Sequence, residues 1–206
     1  MELKYNTWDE INIRTYKKLM ELSNDVEDVI DTEIGIISIL CDCSEDDILN
    51  LQIPEYQKLR NQAQWIMKKP DVKPYAPKSI KLNSEYDVYY DVSKLTTAQY
   101  IDFQSYLKQN DMDKYLTHIL SVFIVPKGKE YGEVPMEEVL DDLESNISIK
   151  MALSMCFFFI TEYLTLMKLT LNCLESRMKK TKNQELQKKL KEIHLLINGD
   201  GLITLK

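Results

Sequence analysis

Glycine and proline are scarce in this chain, 5 and 6 in 206 residues, and histidine is scarcer, at 2. So few turn formers exclude a sandwich or barrel of many short strands, and 44% hydrophobic content with 29% charge excludes a disordered chain. Catalytic signatures are missing as well: no glycine-rich phosphate loop, no Gly-x-Ser-x-Gly elbow and no His-Glu-x-x-His pair occurs. His118 and His194 sit in no motif with a nucleophile or a metal-ligating neighbour. Cys41, Cys43, Cys156 and Cys173 form no Cys-x-x-Cys pair and no zinc spacing, so they read as reduced, packed thiols. The acidic run Asp42–Asp47 lacks the alternating ligands and mid-loop glycine of an EF-hand, and Asp87 and Asp91 read as a solvated strand face rather than an acid/base couple. No catalytic, cofactor-binding or metal-binding residue is therefore expected, and the reading is of a protein that is not an enzyme. The opening MELKYNTWDEINIRTY has no apolar leader core and no basic presequence character, which points to the cytoplasm.

What is present is helical periodicity. The expected fold is mainly α (α+β), a helical domain with a small β-hairpin or edge-strand element and a long C-terminal amphipathic helix. Thr7 and Glu10 form a Thr-x-x-Glu capping box that predicts a first helix from about Trp8, carrying Ile11, Tyr16, Leu19 and Leu22. A second, from about Val26 to Leu40, places Val26, Val29, Ile30, Ile34, Ile37 and Leu40 at steps of three and four, with Gly35 as a point of close packing. Ser44 caps a short turn, and Pro54 stands in the first turn of a helix reaching Met67. Residues 1–67 thus form an acidic helical part. The stretch 68–79, KKPDVKPYAPKS, holds three prolines and reads as an extended connector.

From residue 80 the chain is expected to pack with the first part as one domain. Ile80, Leu82, Tyr86, Val88, Tyr90 and Val92 share one parity against Lys81, Asn83, Glu85, Asp87 and Asp91, a strand or a hairpin broken near Asn83-Ser84. Thr96 or Thr97 caps a helix to Gln109, Asn110-Asp111 starts another to about Phe123, and VPKGKEYGE reads as a turn or small hairpin. Pro135 opens a short helix to about Leu143. A last helix near 184–197 ends at Asn198-Gly-Asp-Gly201, before a short strand LITL.

The stretch MALSMCFFFITEYLTLMKLTLNCL, 151–174, carries the most apolar surface. Eleven residues from Met151 to Thr161 are uncharged, against the roughly 20 that a bilayer span needs, and Glu162 and Lys168 then interrupt. A water-soluble helix is the expectation, and no membrane. Ile149, Leu153, Cys156, Ile160, Leu164, Met167, Leu171, Leu174 and Met178 follow helical steps, while Phe157, Phe158 and Phe159 make the middle turns apolar nearly all round. Such a helix is either the central core helix or a partner groove, and both hold if another polypeptide supplies a second cover.

Charge is segregated. No Lys or Arg falls between Lys18 and Lys58, where eleven acids do, while 177–191 holds seven basic residues against Glu185 alone. Each cluster alone is a solvated face. Together, the acidic 21–55 and basic 177–191 regions permit head-to-tail homo-oligomers. The net charge of −7 and the absence of aromatics interleaved in the basic end argue against nucleic acid.

Three stretches carry a family likeness: TWDEINIRTYKKLMELSND, TEIGIISILCDCSEDDILNLQIPEYQKL and KLTTAQYIDFQSYL. Over roughly the first half of the chain these resemble proteins of the tail-morphogenesis clusters of tailed bacteriophages, in particular tail assembly chaperone-like proteins. The resemblance implies a protein of the bacterial host cytoplasm that binds the long helices of a tape-measure protein and keeps them soluble during tail assembly. Phe157, Phe158, Phe159, Tyr163 and Met167 are then the residues expected to line the client groove, since Met and aromatics adapt well to a helix read at i, i+3, i+4 and i+7. The rival reading is a structural virion component, a ring, tail or internal cargo protein with its apolar surface buried against neighbours.

Overall fold

A computed structural model describes residues 1–25, 28–109, 111–180 and 188–189. The last helix and the LITL strand read from the sequence, and most of the basic 177–191 region, lie outside the described residues.

Local capping sets most of the helix starts. Helices α1 (Ile13–Asp25), α2 (Val29–Cys41), α3 (Glu45–Leu49) and α4 (Ile53–Ala63) come first, α4 running into a 3₁₀ turn, Gln64–Met67. Asp28 caps α2 by accepting from the Ile30 N–H, and Ser44 and Asp47 close a reciprocal capping box on α3. Pro54 stands in the first turn of α4, where its missing N–H costs nothing. An added Cβ on Gly35 would lie 2.5 Å from Leu22 Cδ2, so the absent side chain is what lets α2 approach α1.

The first helix starts later than the Thr7/Glu10 box predicts. Residues 8–10 form a turn in which the Glu10 carboxylate accepts from the Asn6 N–H at 2.6 Å, and Asn12 is the cap, accepting from the Thr15 N–H at 2.8 Å. The reason is tertiary. Ile11-Asn12-Ile13 runs extended beside Ile147-Ser148-Ile149, with the Ile13 N–H bonded to the Ile147 carbonyl and the Ile149 N–H to the Ile11 carbonyl. That pairing places all four isoleucines in the core at 1% exposure or less, a gain of roughly 1.5–3 kcal/mol per buried side chain that outweighs one capping box. The second helix runs from Val29 behind its Asp28 cap, with Val29 and Ile30 exposed outside the apolar stripe, and Val26, where the sequence sets its start, lies outside the described residues.

The β element is a three-stranded antiparallel sheet in the order β1 (Ser79–Lys81), β2 (Glu85–Val88), β3 (Ile124–Pro126). The hairpin turns at Asn83-Ser84, and Ile80, Tyr86 and Val88 point inward while Ser79, Lys81, Glu85 and Asp87 point out, as the alternation predicts. The third strand is new: the segment expected to be a turn or small hairpin begins as β3, paired Tyr86↔Pro126 and Val88↔Ile124, before turning through Gly128 and Gly132 at positive φ.

Between β2 and β3 come α5 (Thr97–Lys108) and α6 (Met112–Phe123); α7 (Met136–Asn146) and α8 (Ile149–Lys180) follow. Thr96 and Gln99 form a capping box on α5, and the Gln99 amide reaches on to the Val122 carbonyl at 2.7 Å, tying α5 to the end of α6. The architecture is mainly α with a small β element and a long C-terminal helix. One apolar cluster runs from Ile11 to Ile160 and draws on both sides of the proline-rich stretch. That stretch is pinned where the Tyr75 N–H bonds the Ser154 carbonyl on α8 and the Trp8 indole bonds the Lys68 carbonyl.

Candidate partner-binding face on the long helix

Over its first four turns α8 is a core helix. Ile149, Ala152, Met155, Cys156, Phe159 and Ile160 are all 1% exposed or less, a stripe at steps of three and four that faces α6 and α1. Burial pushes the Cys156 thiol up to about 12, so it is an inert packing group. Cys173 is exposed, and all four cysteines are free thiols.

Phe159 does not line a groove, contrary to the sequence expectation. It is fully buried, with its ring stacked on Phe123 at 3.9 Å between centroids and 5° between planes. The helical period explains this: Phe159 falls on the Ala152–Cys156 stripe, and its two neighbours lie 100° to either side or beyond. Phe158 is half-buried, edge-on to Phe159 at 5.5 Å and to Tyr90 at 6.4 Å. Phe157 is half-buried on the other flank.

The stacked pair continues as a ladder. Phe123 meets Phe103 of α5 edge-on at 5.0 Å, Phe103 meets Tyr163 at 5.4 Å, and Tyr163 meets Tyr100 at 6.5 Å. Aromatic pairs of this kind add roughly 0.5–1.5 kcal/mol each beyond area burial. The ladder therefore fixes α8 to α5 and α6, and its outer rungs, Tyr163 and Tyr100, reach the surface half-buried or exposed. The structure thus joins Phe158, Phe159 and Tyr163 through shared neighbours. Phe157 and Met167 lie outside the ladder, Met167 one turn beyond Tyr163 on the same side of the helix.

Beyond Leu166 the character changes. Leu164 and Leu166 still pack on the core cluster, while Met167, Leu171 and Leu174 are half-buried and Leu169, on the opposite side, is 62% exposed. The hydroxyls of Thr161, Thr165 and Thr170 all donate back to the carbonyl four residues earlier, at 2.7–2.9 Å. Bonded inward, they leave the projecting helix more apolar on its surface than its composition suggests.

Tyr90 and Tyr100 are the members of this face that the sequence did not single out as partner-binding. Their signal was present, in strand parity and helix spacing, but their meeting with α8 is tertiary. Burial raises the Tyr90 phenol pKa, and its hydroxyl has no hydrogen-bond partner among the described residues although it is shielded from solvent.

His118 lies against the stacked rings of Tyr106 and Tyr115, at 5.2 and 5.7 Å from their centroids. Its pKa is held below the ordinary value first by burial and then by Lys17, against an opposing pull from Glu144. Lys17 and Glu144 pair at 2.5 Å, and Thr117 donates to the same carboxylate at 3.1 Å. Asp142 accepts from Tyr86 at 2.6 Å and Asn83 at 2.7 Å beside a shallow open cleft lined by Lys127, Lys129 and Glu138. Among the described residues no group of three His, Cys, Asp or Glu is placed to hold a metal ion.

Part of the acidic region is neutralised from outside it, by Lys4 on Asp42 at 2.6 Å and Arg60 on Glu33 at 2.5 Å, while Asp31, Glu45, Asp46 and Glu55 remain exposed. By length and composition Ile149–Arg177 could cross a membrane. One face of its first half is packed into the core and 39% of its apolar window is buried, which is compatible with a soluble protein. Comparison with protein-family models, with curated proteins and with solved structures finds no match to this chain.

Proposed function

We propose that the protein is a phage assembly protein of the tail assembly chaperone-like kind, which holds a helical segment of a tape-measure or other virion protein against α8 in the host cytoplasm. The observation that carries this reading is the half-exposed apolar side of α8 past the core, with Tyr163 and Met167 on it and Phe157 and Phe158 flanking its base. Four adaptable side chains over about three turns offer a client helix contacts at the i, i+3, i+4 and i+7 spacing that helix-in-groove recognition uses. Phe159 serves the face from below by fixing α8 to α6. The acidic residues exposed on α2, α3 and α4 would keep a loaded complex soluble.

The experiment is affinity purification from infected cells with the bound protein identified by mass spectrometry, run beside mass spectrometry of purified virions. Retention of the tape-measure protein, with this chain absent from virions, supports the chaperone reading. Its presence in virions in structural amounts replaces that reading with the permanent-component alternative.

A further inference from the structure

The first residues of the chain and the end of α2 bring three sulfurs together. On a continuous helix Cys41 and Cys43 would point about 200° apart. The helix stops between them. Asp42 adopts φ 56° and ψ 48°, its N–H bonds the Ile39 carbonyl at 3.2 Å, and the Cys43 N–H bonds the Ser38 carbonyl at 3.1 Å, the paired bonds of a Schellman ending. Among the described residues Asp42 alone is a non-glycine at positive φ, a conformation that aspartate tolerates better than most side chains do. Lys4 holds its carboxylate at 2.6 Å.

The left-handed step turns Cys43 back beside Cys41, and the Cys41 thiol donates to the Cys43 sulfur. The Lys4 and Tyr5 N–H groups both bond the Leu40 carbonyl, at 2.9 and 3.3 Å, which lays residues 1–5 across the same helix end. Met1 Sδ comes to lie 3.8 Å from Cys43 Sγ. Both cysteines are half-buried and Met1 is 49% exposed, so the group is open to an ion from solvent.

We propose that Cys41, Cys43 and Met1 form a binding site for a soft monovalent ion, Cu(I), held by three sulfurs. Thiolate and thioether sulfur select this class of ion, and two cysteines with one methionine leave Zn(II) short of its four ligands. The spacing fits. Two sulfurs about 2.3 Å from one ion and about 120° apart around it stand about 4 Å from each other, close to the 3.8 Å between Cys43 and Met1. Burial first, then Cys43, pushes the Cys41 thiol up to about 11, and burial leads the rise at Cys43, so both thiols hold their protons at neutral pH. Binding therefore exchanges two thiol protons for one Cu(I), leaving two thiolates, one thioether and a net charge of −1 on the centre. Cys156 gives the contrast: its Sγ meets Met112 Sδ at 3.5 Å, but it is a single thiol sealed in the core. The site is independent of the α8 face.

The test is anaerobic titration of the reduced, full-length chain with Cu(I) against the chromophoric chelator bicinchoninate, for the wild type, Cys41→Ser, Cys43→Ser and Cys173→Ser. The wild type and Cys173→Ser are expected to retain one Cu(I) per chain and to release about two protons per ion. Cys41→Ser and Cys43→Ser should each lower retention about tenfold or more. Retention unchanged in those two variants, or lost in Cys173→Ser, overturns the site, and equal competition by Zn(II) overturns its assignment to Cu(I). Two measurements on the wild-type chain are immune to a folding defect in the variants. Its thermal midpoint is expected to rise with Cu(I), and with selenomethionine in place of methionine the copper X-ray absorption should show a selenium neighbour. An unmoved midpoint or a copper shell without selenium contradicts the proposal.

Discussion

The two halves of α8 are built from the same kinds of side chain and meet different neighbours. Ile149–Ile160 presents an apolar stripe buried against α6, the 3₁₀ turn Val92–Lys94 and α1, whereas Met167–Leu174 continues the stripe half-buried. Periodicity specifies that a helix has a side to cover, and only the tertiary arrangement decides what covers it. The boundary lies at Tyr163–Leu166, where the aromatic ladder from Phe159 through Phe123 and Phe103 surfaces.

Substitutions at equivalent points in the two halves should break the comparison cleanly. Phe159→Ala removes a ring stacked at full burial and is expected to cost about 3–5 kcal/mol in urea unfolding. Met167→Ala, on the open half, should cost about 1 kcal/mol or less in the same assay. Comparable losses at both sites would mean that the distal half is as enclosed as the proximal one.

Two smaller effects sharpen the picture of the enclosed body. Tyr86 is 3% exposed and donates to Asp142 at 2.6 Å, so Tyr86→Phe should cost about 1.5 kcal/mol by the same measurement. The pairing with Asp142 and burial raise the pKa of the phenol, burial contributing most. It stays neutral at ordinary pH, and the loss should be independent of pH between about 6 and 9.

His118 should give the body a weak acid sensitivity. Burial first, then Lys17, lower its folded pKa, so the native state holds the ring neutral while the unfolded chain binds a proton near the ordinary value of about 6.5. Its contribution is fully present above about pH 6.5 and declines as pH falls from there toward the folded pKa. Stability measured from pH 7.5 to 5.5 is expected to fall less steeply in His118→Gln. An unchanged slope would place the histidine in the same environment folded and unfolded.

Much of this was legible in the sequence because it is local. The capping boxes at Ser44 and Thr96, Pro54 in a first turn and the hairpin at Asn83-Ser84 each depend on neighbouring residues. The late start of α1 was not, because Ile11-Asn12-Ile13 pairs with a segment more than 130 residues away. Strand β3 was hidden for a similar reason: three residues at the end of a helix carry no alternation, and only the open edge of β2 makes them a strand.

The face on α8 was half legible. Composition and spacing named the right helix, and Tyr163, Met167, Phe157 and Phe158 are all partly accessible. A run of three phenylalanines cannot by itself say which ring turns inward, since that depends on where Phe123 sits across the interface. Tyr90 and Tyr100 joined the face through contacts that no single segment encodes.

The central claim is that the distal, half-open side of α8 is a docking face for helical polypeptide. The most direct measurement is recovery of the identified tape-measure protein from infected cells by the wild-type chain and by Met167→Asp, with the unfolding midpoints of both determined. The account predicts that Met167→Asp keeps its midpoint and loses recovery about tenfold or more, a change of roughly 1.4 kcal/mol or greater in binding. Equal recovery by the two proteins would contradict it.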